Sequence, residues 1–478
     1  MALFNKKDAM LPFFHPHQKI PLFLIAFIAL AHSFAFMIYQ QPDWETQWTD
    51  QGGYHQLASS LAFHGVFTRF PGTDPFVPEV IRTPGYPLFV ALLYRVFGPS
   101  HWVVATAQAM LFSIICLFVY RLAQEVTTPR VALAAAATTA IFPPIPYYGA
   151  LILTEIWTTL LVTAGLVLLV GALGNRSTGR FAAAGVVLGY AGLTRPIFYL
   201  LPAFLVTVAA VALTIKPKLR DIIRPAALGV FLSAYLLTMA PWFAYNYYHF
   251  HKLTIAPAGG IGRSSWEGYW NGKFPGRTQT ELTKLAESPL PDEELDRQVQ
   301  AVPGFEPAML SYVHQWREIR RQYTVTPDAP AYDRVFSRVK ADAIFGRFAQ
   351  DNIASEPIHY LIRRFTYGMF VLWAGEIPIR YSDINQSSSR VIHILWAAQV
   401  ALLFLAALGA FRLWRSKARL LAVLLLLPPI YLSLVQWPFL TESRYSLPLK
   451  PALLLLAVLG LDWLLKRFAK HRAADRST

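Results

Sequence analysis

The sequence has few charged residues and a single cysteine. Charged residues make up 15% of the 478 positions and apolar residues 55%, whereas about a quarter of a soluble domain is charged. Cys116 is the single cysteine, so an intrachain disulfide is excluded. It lies inside an apolar run, where a small buried side chain is the ordinary interpretation. The low charge argues against a soluble domain.

Long apolar runs take the place of the missing charge. Residues 225–251 and 420–441 contain no Asp, Glu, Lys or Arg. A bilayer core needs about 20 apolar residues per helix, and continuous runs without two-residue alternation indicate helices rather than a barrel. The net charge of +15 does not indicate nucleic-acid binding, because the basic residues cluster at the ends of the apolar runs.

These runs predict an all-α polytopic membrane protein with about ten to eleven transmembrane helices. The first run could be a signal peptide, but it is longer than a usual signal sequence and is interpreted as an uncleaved anchor. The predicted spans are 20–39, 101–121, 131–148, 152–173, 181–195, 197–215, 226–247, 391–411, 420–440 and 446–465.

Lys and Arg residues on alternate turns set the expected orientation. The turns near 121–130, 176–180, 216–224 and 412–419 are basic, as are both ends of the chain. Basic turns face the cytoplasm, so both termini are predicted to be cytoplasmic in a plasma (inner) membrane. The outer side then receives residues 40–100, 143–149, 252–390 and the loop at 441–445.

The outer residues divide the chain into three parts. An N-terminal transmembrane catalytic module, 1–251, carries an interfacial helix in its first outer loop. An outer-face helical segment, 252–390, forms a small cap and includes an interfacial helix at 359–378, where a membrane span would place Arg363 and Arg364 in lipid. C-terminal transmembrane helices and a basic tail occupy 391–478.

Five ionisable residues from distant parts of the chain are predicted to face the outer side. Each has an ordinary structural explanation: Asp50 and Glu155 could cap helices, Arg195 could snorkel, and Glu442 could simply pair with Arg444. Their joint placement on one face favours a functional site.

Six segments follow one another along the chain: TDQGGYHQLASSL, RTPGYPLFVALLYRVFG, LTEIW, GLTRPIFYLLP, APWFAYNYY and TESRYSLPLKPALLLL. In this order they resemble the GT-C superfamily of integral-membrane glycosyltransferases, in the branch with protein O-mannosyltransferases and lipid A aminoarabinose transferase. The resemblance covers most of the chain and is weakest over 270–390.

The resemblance implies transfer of a sugar from a polyprenyl-phosphate donor to an acceptor hydroxyl of a glycan, lipid or protein, with inversion. Asp50 would be the catalytic base and Glu155 a second acid. Arg195 and Arg444 would bind the donor phosphate. The other candidates are Arg82 for the phosphate and Tyr54, Glu442, Asn246, Arg263 and Trp266 as supporting or substrate-contacting residues.

Two departures from the family pattern limit these expectations. Gln51 follows Asp50 where the family often has a second acid, so no metal is assigned and a divalent ion stays open. Tyr245 precedes Asn246 where a basic residue is common, so a phosphate-binding role could have moved to Arg82 or Arg263. A flippase or transporter, or a polymerase or ligase of lipid-linked sugars, is the alternative; transporters usually contain internal repeats, and none is found.

Overall fold

A computed structural model describes residues 18–44, 48–326, 328–380, 383 and 388–475. This part of the chain is almost entirely helical and contains no β-strand. The helices up to residue 250 are α1 Lys19–Gln40, α2 Trp48–His64, α3 Gly85–Phe97, α4 His101–Gln124, α5 Pro129–Ile141, α6 Pro144–Gly149, α7 Glu155–Asn175, α8 Thr178–Thr194, α9 Leu201–Ile215 and α10 Pro225–Phe250. The later helices are α11 Ile261–Trp270, α12 Gly276–Glu287, α13 Asp292–Gln300, α14 Pro307–Tyr323, α15 Ala331–Ser355, α16 Pro357–Arg363, α17 Met369–Ala374, α18 Ser389–Trp414, α19 Arg419–Gln436 and α20 Lys450–Asp475.

Eight of the described helical segments are long and apolar enough to cross a membrane. Two of the ten predicted spans are shorter. Helix α5 has 13 residues and covers only about 20 Å, because Pro143 and Pro144 separate it from α6. Helix α8 has 17 residues, at the lower end of the range for a span. The polytopic helical fold agrees with the prediction, with eight long spans and shorter apolar helices beside them.

Close helix contacts hold the C-terminal spans together. A Cβ on Gly409 of α18 would lie 1.9 Å from the carbonyl oxygen of Leu456, and one on Gly460 of α20 would lie 2.1 Å from that of Leu405. The two backbones therefore touch, as small residues allow in membrane helices. This contact fixes α20 and, with it, the loop that precedes the helix.

Five helices, α11 to α15, pack around a core of their own and form the cap. Trp266, Trp270 and Val313 are almost fully buried there. Helix α15 lies on the loop between α2 and α3, where Val335 packs on Val77 and Val80. The cap therefore covers the part of the first outer loop that follows α2.

The segment predicted as an interfacial helix forms α16, a π-helical turn at Arg364–Gly368, and α17. It does not qualify by length and composition as a span. Arg364 is fully buried and donates hydrogen bonds to the carbonyl oxygen of Phe439 and to Oγ1 of Thr441, each at 2.7 Å from Nη2. Arg363 donates to the carbonyl oxygen of Tyr269 at 2.8 Å, so both arginines of the segment bond protein groups.

Candidate active site

Asp50 lies in the first turn of α2, between two arginines from distant parts of the chain. Its Oδ1 is 3.4 Å from Nη2 of Arg82, and its Oδ2 is 3.1 Å from Nη2 of Arg444, which is 394 residues away in sequence. The Asp50 side chain is 45% exposed. The carboxylate is therefore held in place by cations on two sides and keeps an accessible face.

Arg82 is positioned by the loop that leads into α3. Glu79 is buried and accepts hydrogen bonds from the backbone N–H groups of Ile81 and Arg82 at 2.8 and 3.2 Å. The guanidinium lies over the ring of Tyr54, with 5.0 Å between Cζ and the ring centroid. Burial raises the pKa of Tyr54 to about 12, and the Arg82 charge opposes that rise. The phenol of Tyr54 is therefore neutral at pH 7.

Arg444 lies in the loop before α20 and contacts three acids. Its Nε is 2.6 Å from Glu442, and its Nη1 is 3.9 Å from Glu155. Its Nη2 makes the contact with Asp50. Tyr445 also donates a hydrogen bond to Glu442 at 3.1 Å. The predicted Glu442–Arg444 pair exists, but it is one edge of a larger network.

Glu155 and Arg195 meet where two membrane helices end on the same face. Glu155 opens α7, where a carboxylate is favoured by the helix dipole, and it is 1% exposed. Arg195 ends α8, because a residue before proline avoids the α conformation; its φ and ψ are −133° and 113°. Its Nη1 is 3.3 Å from Glu155, and its Cζ is 5.2 Å from the ring centroid of Tyr445.

These contacts join six residues into one cluster, which we term the charge ring. Each contact joins an acid to an arginine, in a chain that runs from Arg82 to Arg195 with Glu442 as a branch on Arg444, so three acids balance three arginines before a substrate binds. Asp50 and Glu442 are its most exposed members, at 45% and 38%. The charge ring consists of Asp50, Arg82, Glu155, Arg195, Glu442 and Arg444.

The acids of the charge ring are poorly suited to a divalent metal. Each of them already faces at least one guanidinium. Gln51, at the position of a second acid in the family pattern, accepts a hydrogen bond from the backbone N–H of Ile152 at 3.0 Å. Within the described residues no three His, Cys, Asp or Glu side chains are grouped to hold a metal. The chemistry proposed below uses side chains alone.

Of the five predicted supporting residues, Glu442 belongs to the charge ring and Tyr54 lies against it, whereas the other three lie away from it. Asn246 is buried and donates to the carbonyl oxygen of Thr254 at 2.7 Å, which fixes the turn after α10. Arg263 pairs with Glu267 at 2.7 Å. Trp266 is 1% exposed and stacks on Tyr312 in the cap core. Trp266 therefore supports the cap and has no ring face open to a sugar.

A buried network behind the charge ring was not predicted. Glu376, 2% exposed, accepts a hydrogen bond from Tyr148 at 3.1 Å. The buried Lys450 at the start of α20 donates to the carbonyl oxygen of Trp373 at 2.7 Å. Burial raises the pKa of Glu376, whereas Ser443 and Lys450 oppose the rise. A lone acid in an apolar segment and a lysine opening an apolar run are the sequence signals that could have identified this network.

Comparisons with known proteins agree with this architecture. A family model of dolichyl-phosphate-mannose-protein mannosyltransferases matches residues 81–245, which include Arg82, Glu155 and Arg195. No curated protein sequence matches the chain. The matched segment is about a third of the chain and contains half of the charge ring.

Solved structures align with the chain at low sequence identity, and the archaeal ones, with TM-scores of 0.50 and 0.53, share its fold. The apo oligosaccharyltransferase of Archaeoglobus fulgidus aligns at TM-score 0.53 and 16% identity, over 97% of this chain and 52% of that one. AglB from the same organism, in complex with an inhibitory peptide and a dolichol-phosphate, aligns at TM-score 0.50 and 14% identity, with the same coverage of both chains. ArnT from Cupriavidus metallidurans bound to undecaprenyl phosphate aligns at TM-score 0.39 and 15% identity, over 92% of this chain and 77% of that one.

This chain thus spans about half the length of the archaeal proteins. The predicted resemblance to the GT-C superfamily is confirmed by the family match and the shared fold.

Proposed function

We propose that this GT-C-fold chain is a membrane glycosyltransferase that moves a sugar from a polyprenyl-phosphate donor to an acceptor hydroxyl. The observation that carries the proposal is the exposed Asp50 carboxylate between Arg82 and Arg444, at 3.4 and 3.1 Å. A base and cations for a phosphate thus lie within one side-chain length of each other. AglB, with the same fold, was solved with a dolichol-phosphate, and the matching family is named for a lipid-phosphate sugar donor.

The reaction needs one proton acceptor and one leaving-group clamp. The acceptor hydroxyl donates to the exposed oxygen of Asp50 and passes its proton there as its oxygen attacks the anomeric carbon. The bond from that carbon to the phosphate oxygen breaks, and its electron pair stays on the polyprenyl phosphate. Bond formation and cleavage occur on opposite sides of the carbon, so the sugar configuration inverts.

The arginines stabilise the growing charge of the leaving phosphate. Arg82 and Arg444 already lie against the base, and their guanidinium groups can form charge-assisted, bidentate hydrogen bonds to phosphate oxygens. Arg195 is the third phosphate ligand. Its Nη1 contacts Glu155 without hydrogen-bond geometry and can turn toward a phosphate.

Glu155 and Glu442 act as positioning residues. Glu155 is almost fully buried, so a substrate reaches Arg195 and Arg444 rather than the acid that holds them. Glu442 fixes the Nε edge of Arg444 and leaves the Nη atoms directed at Asp50 and Glu155. The ring of Tyr54 packs against the guanidinium of Arg82. With its pKa raised to about 12, Tyr54 is too weak an acid to supply a phenolate base.

We further propose that the charge ring faces the outside of a plasma (inner) membrane. The face opposite the charge ring carries the basic turns at 121–130, 176–180, 216–224 and 412–419, and such turns stay in the cytoplasm. Both chain ends then lie in the cytoplasm. A donor sugar on the outer leaflet reaches Asp50 while its prenyl chain stays in the bilayer.

The test is transfer by purified protein from a panel of undecaprenyl-phosphate-linked hexoses and pentoses. The acceptor is first identified by mass spectrometry of envelope glycolipids and glycans from cells with and without the protein. Asp50→Asn should lower turnover by at least about 100-fold and leave donor binding intact. Asp333→Asn, an exposed acid on α15, is the control.

Full turnover in the Asp50→Asn protein would refute the assignment of the base. Movement of the lipid-linked sugar across a vesicle membrane without formation of a product would favour the transporter alternative. Linkage of one glycan repeat to another would favour a polymerase or ligase.

A further inference from the structure

A large cavity opens at the end of the helix bundle opposite the charge ring. Its volume is about 920 Å³, and helices α7 to α10, α18 and α19 surround it. Leu173 of α7 lines the cavity and lies roughly 27 Å along the helix from Glu155, at about 1.5 Å per residue. The cavity and the charge ring are therefore on opposite faces, and no residue of the charge ring lines the cavity.

The walls of the cavity are apolar. Leu173, Phe181, Leu205, Phe231 and Leu424 are among the side chains that line it. The volume is of the size that encloses a drug-sized ligand, and the lining offers hydrocarbon contacts to most of such a ligand. No Asp or Glu lines the cavity within the described residues.

Four cationic side chains surround the mouth of this apolar space. They are Lys216, Arg415, Lys417 and Arg419, all of them exposed. None of the four has an ion-pair partner in the described part of the chain, and what sets them apart from other cations of this face is their place in the lining of the cavity. Unpaired cations at the entrance to an apolar cavity match a ligand with an anionic head and a hydrocarbon tail.

We propose that this cavity binds an anionic phospholipid from the leaflet opposite the charge ring. The headgroup phosphate sits among the four cations, and an acyl chain fills the space between α9 and α19. Basic clusters attract anionic lipids, and basic pockets between membrane helices bind their head groups. The topological role of basic turns accounts for charge on this face but not for its concentration around an apolar cavity.

Lipid retention by the full-length protein tests the proposal. The protein is placed in nanodiscs of equal parts phosphatidylglycerol and phosphatidylcholine, and the lipids that stay bound after detergent extraction are counted by native mass spectrometry. Wild type should retain phosphatidylglycerol. Changing all four cations to Gln should weaken retention by about five-fold per charge removed.

Matched variants separate the cavity from the general charge of the face. Arg130, Arg467, Lys470 and Arg472 changed together to Gln remove the same charge elsewhere and should leave retention unchanged. Ala209→Trp fills the cavity and should abolish retention of phosphatidylglycerol while all four cations remain. Ala210→Trp, on the exposed side of α9 outside the lining, is its control and should leave retention unchanged. Thermal unfolding confirms that each variant is folded.

Three results would overturn the proposal. The first is equal retention of phosphatidylglycerol and phosphatidylcholine by the wild type. The second is a loss of phosphatidylglycerol in the control quadruple variant equal to that in the cation variant. The third is a polyprenyl phosphate that occupies the cavity and stays bound in the cation variant. The measurement does not depend on sugar transfer, so it stands or fails separately from the proposed activity.

Discussion

The guanidinium of Arg82 lies against the backbone of Gly53. A Cβ built on Gly53 would come within 2.3 Å of Arg82 Cζ, closer than any side chain tolerates. The second glycine of the sequence DQGG therefore makes room for an arginine from the following loop. That arginine, in turn, contacts the Asp50 carboxylate one helical turn away.

Replacing Gly53 with Ala should lower sugar transfer without lowering stability. The added methyl displaces Arg82 from Asp50, whereas Ala in a helix is about 1 kcal/mol more favourable than Gly. Turnover and thermal unfolding are measured together. Gly276→Ala, where a Cβ meets nothing within 4 Å, is the control; full turnover in Gly53→Ala would show that Arg82 is not needed at that position.

Arg444→Lys should behave as a severe change. A lysine carries one charged nitrogen and cannot contact Asp50, Glu155 and Glu442 from three separate edges. We expect turnover to fall by about 10²–10³-fold, the effect of removing one preorganised donor to a developing oxyanion. Arg412→Lys, at an arginine that pairs with Asp462 at 2.8 Å on the opposite face, should keep near-normal turnover. Equal effects of the two changes would contradict the role of Arg444.

Glu155→Gln should destabilise the protein as well as inactivate it. The variant leaves Arg195, 8% exposed, without its buried counter-charge, and breaking a buried pair costs about 3–5 kcal/mol. Thermal unfolding in detergent measures this loss. Glu125→Gln removes a surface pair with Arg121 and should cost less than about 1 kcal/mol; a similar small cost for Glu155→Gln would show that Glu155 does not hold the arginines.

Glu376 should make stability depend on pH. Its pKa is raised by burial, so the folded protein binds more protons there than the unfolded chain above the ordinary glutamate value of 4.5. The contribution of Glu376 to stability is therefore present at low pH and declines as pH rises from about 4.5 toward the raised pKa.

Glu376→Gln cannot titrate and should lose this decline. Unfolding midpoints of wild type and variant, measured at intervals from pH 4.5 to 8, should differ by an amount that changes steadily with pH. Parallel curves would show that Glu376 has the same affinity for protons in both states.

The sequence predicts the fold and the charge ring well, because both rest on features visible along the chain. Apolar runs set the spans, and charges at their ends mark one face. Asp50, Glu155, Arg195 and Arg444 each stand at a boundary between an apolar run and a loop, so helix connectivity alone brings them to the same side.

The residues that the sequence places less well depend on packing between distant segments. Trp266 lies in a loop rich in glycine and tryptophan, a pattern shared by sugar sites and by ordinary cores, and the cap buries it. Arg364 looks like an interfacial charge until the carbonyl oxygen of Phe439 is known to face it. Such partners are separated by many residues and leave no local pattern.

The separation of Asp50 from Arg444 by almost the whole chain sets an order of events during synthesis. The ribosome releases Asp50 and Arg82 early, and Arg444 only after seven of the eight long spans have been made. A nascent chain at the membrane therefore holds an incomplete charge ring, and the proposed activity requires insertion of the span at Ser443–Arg472.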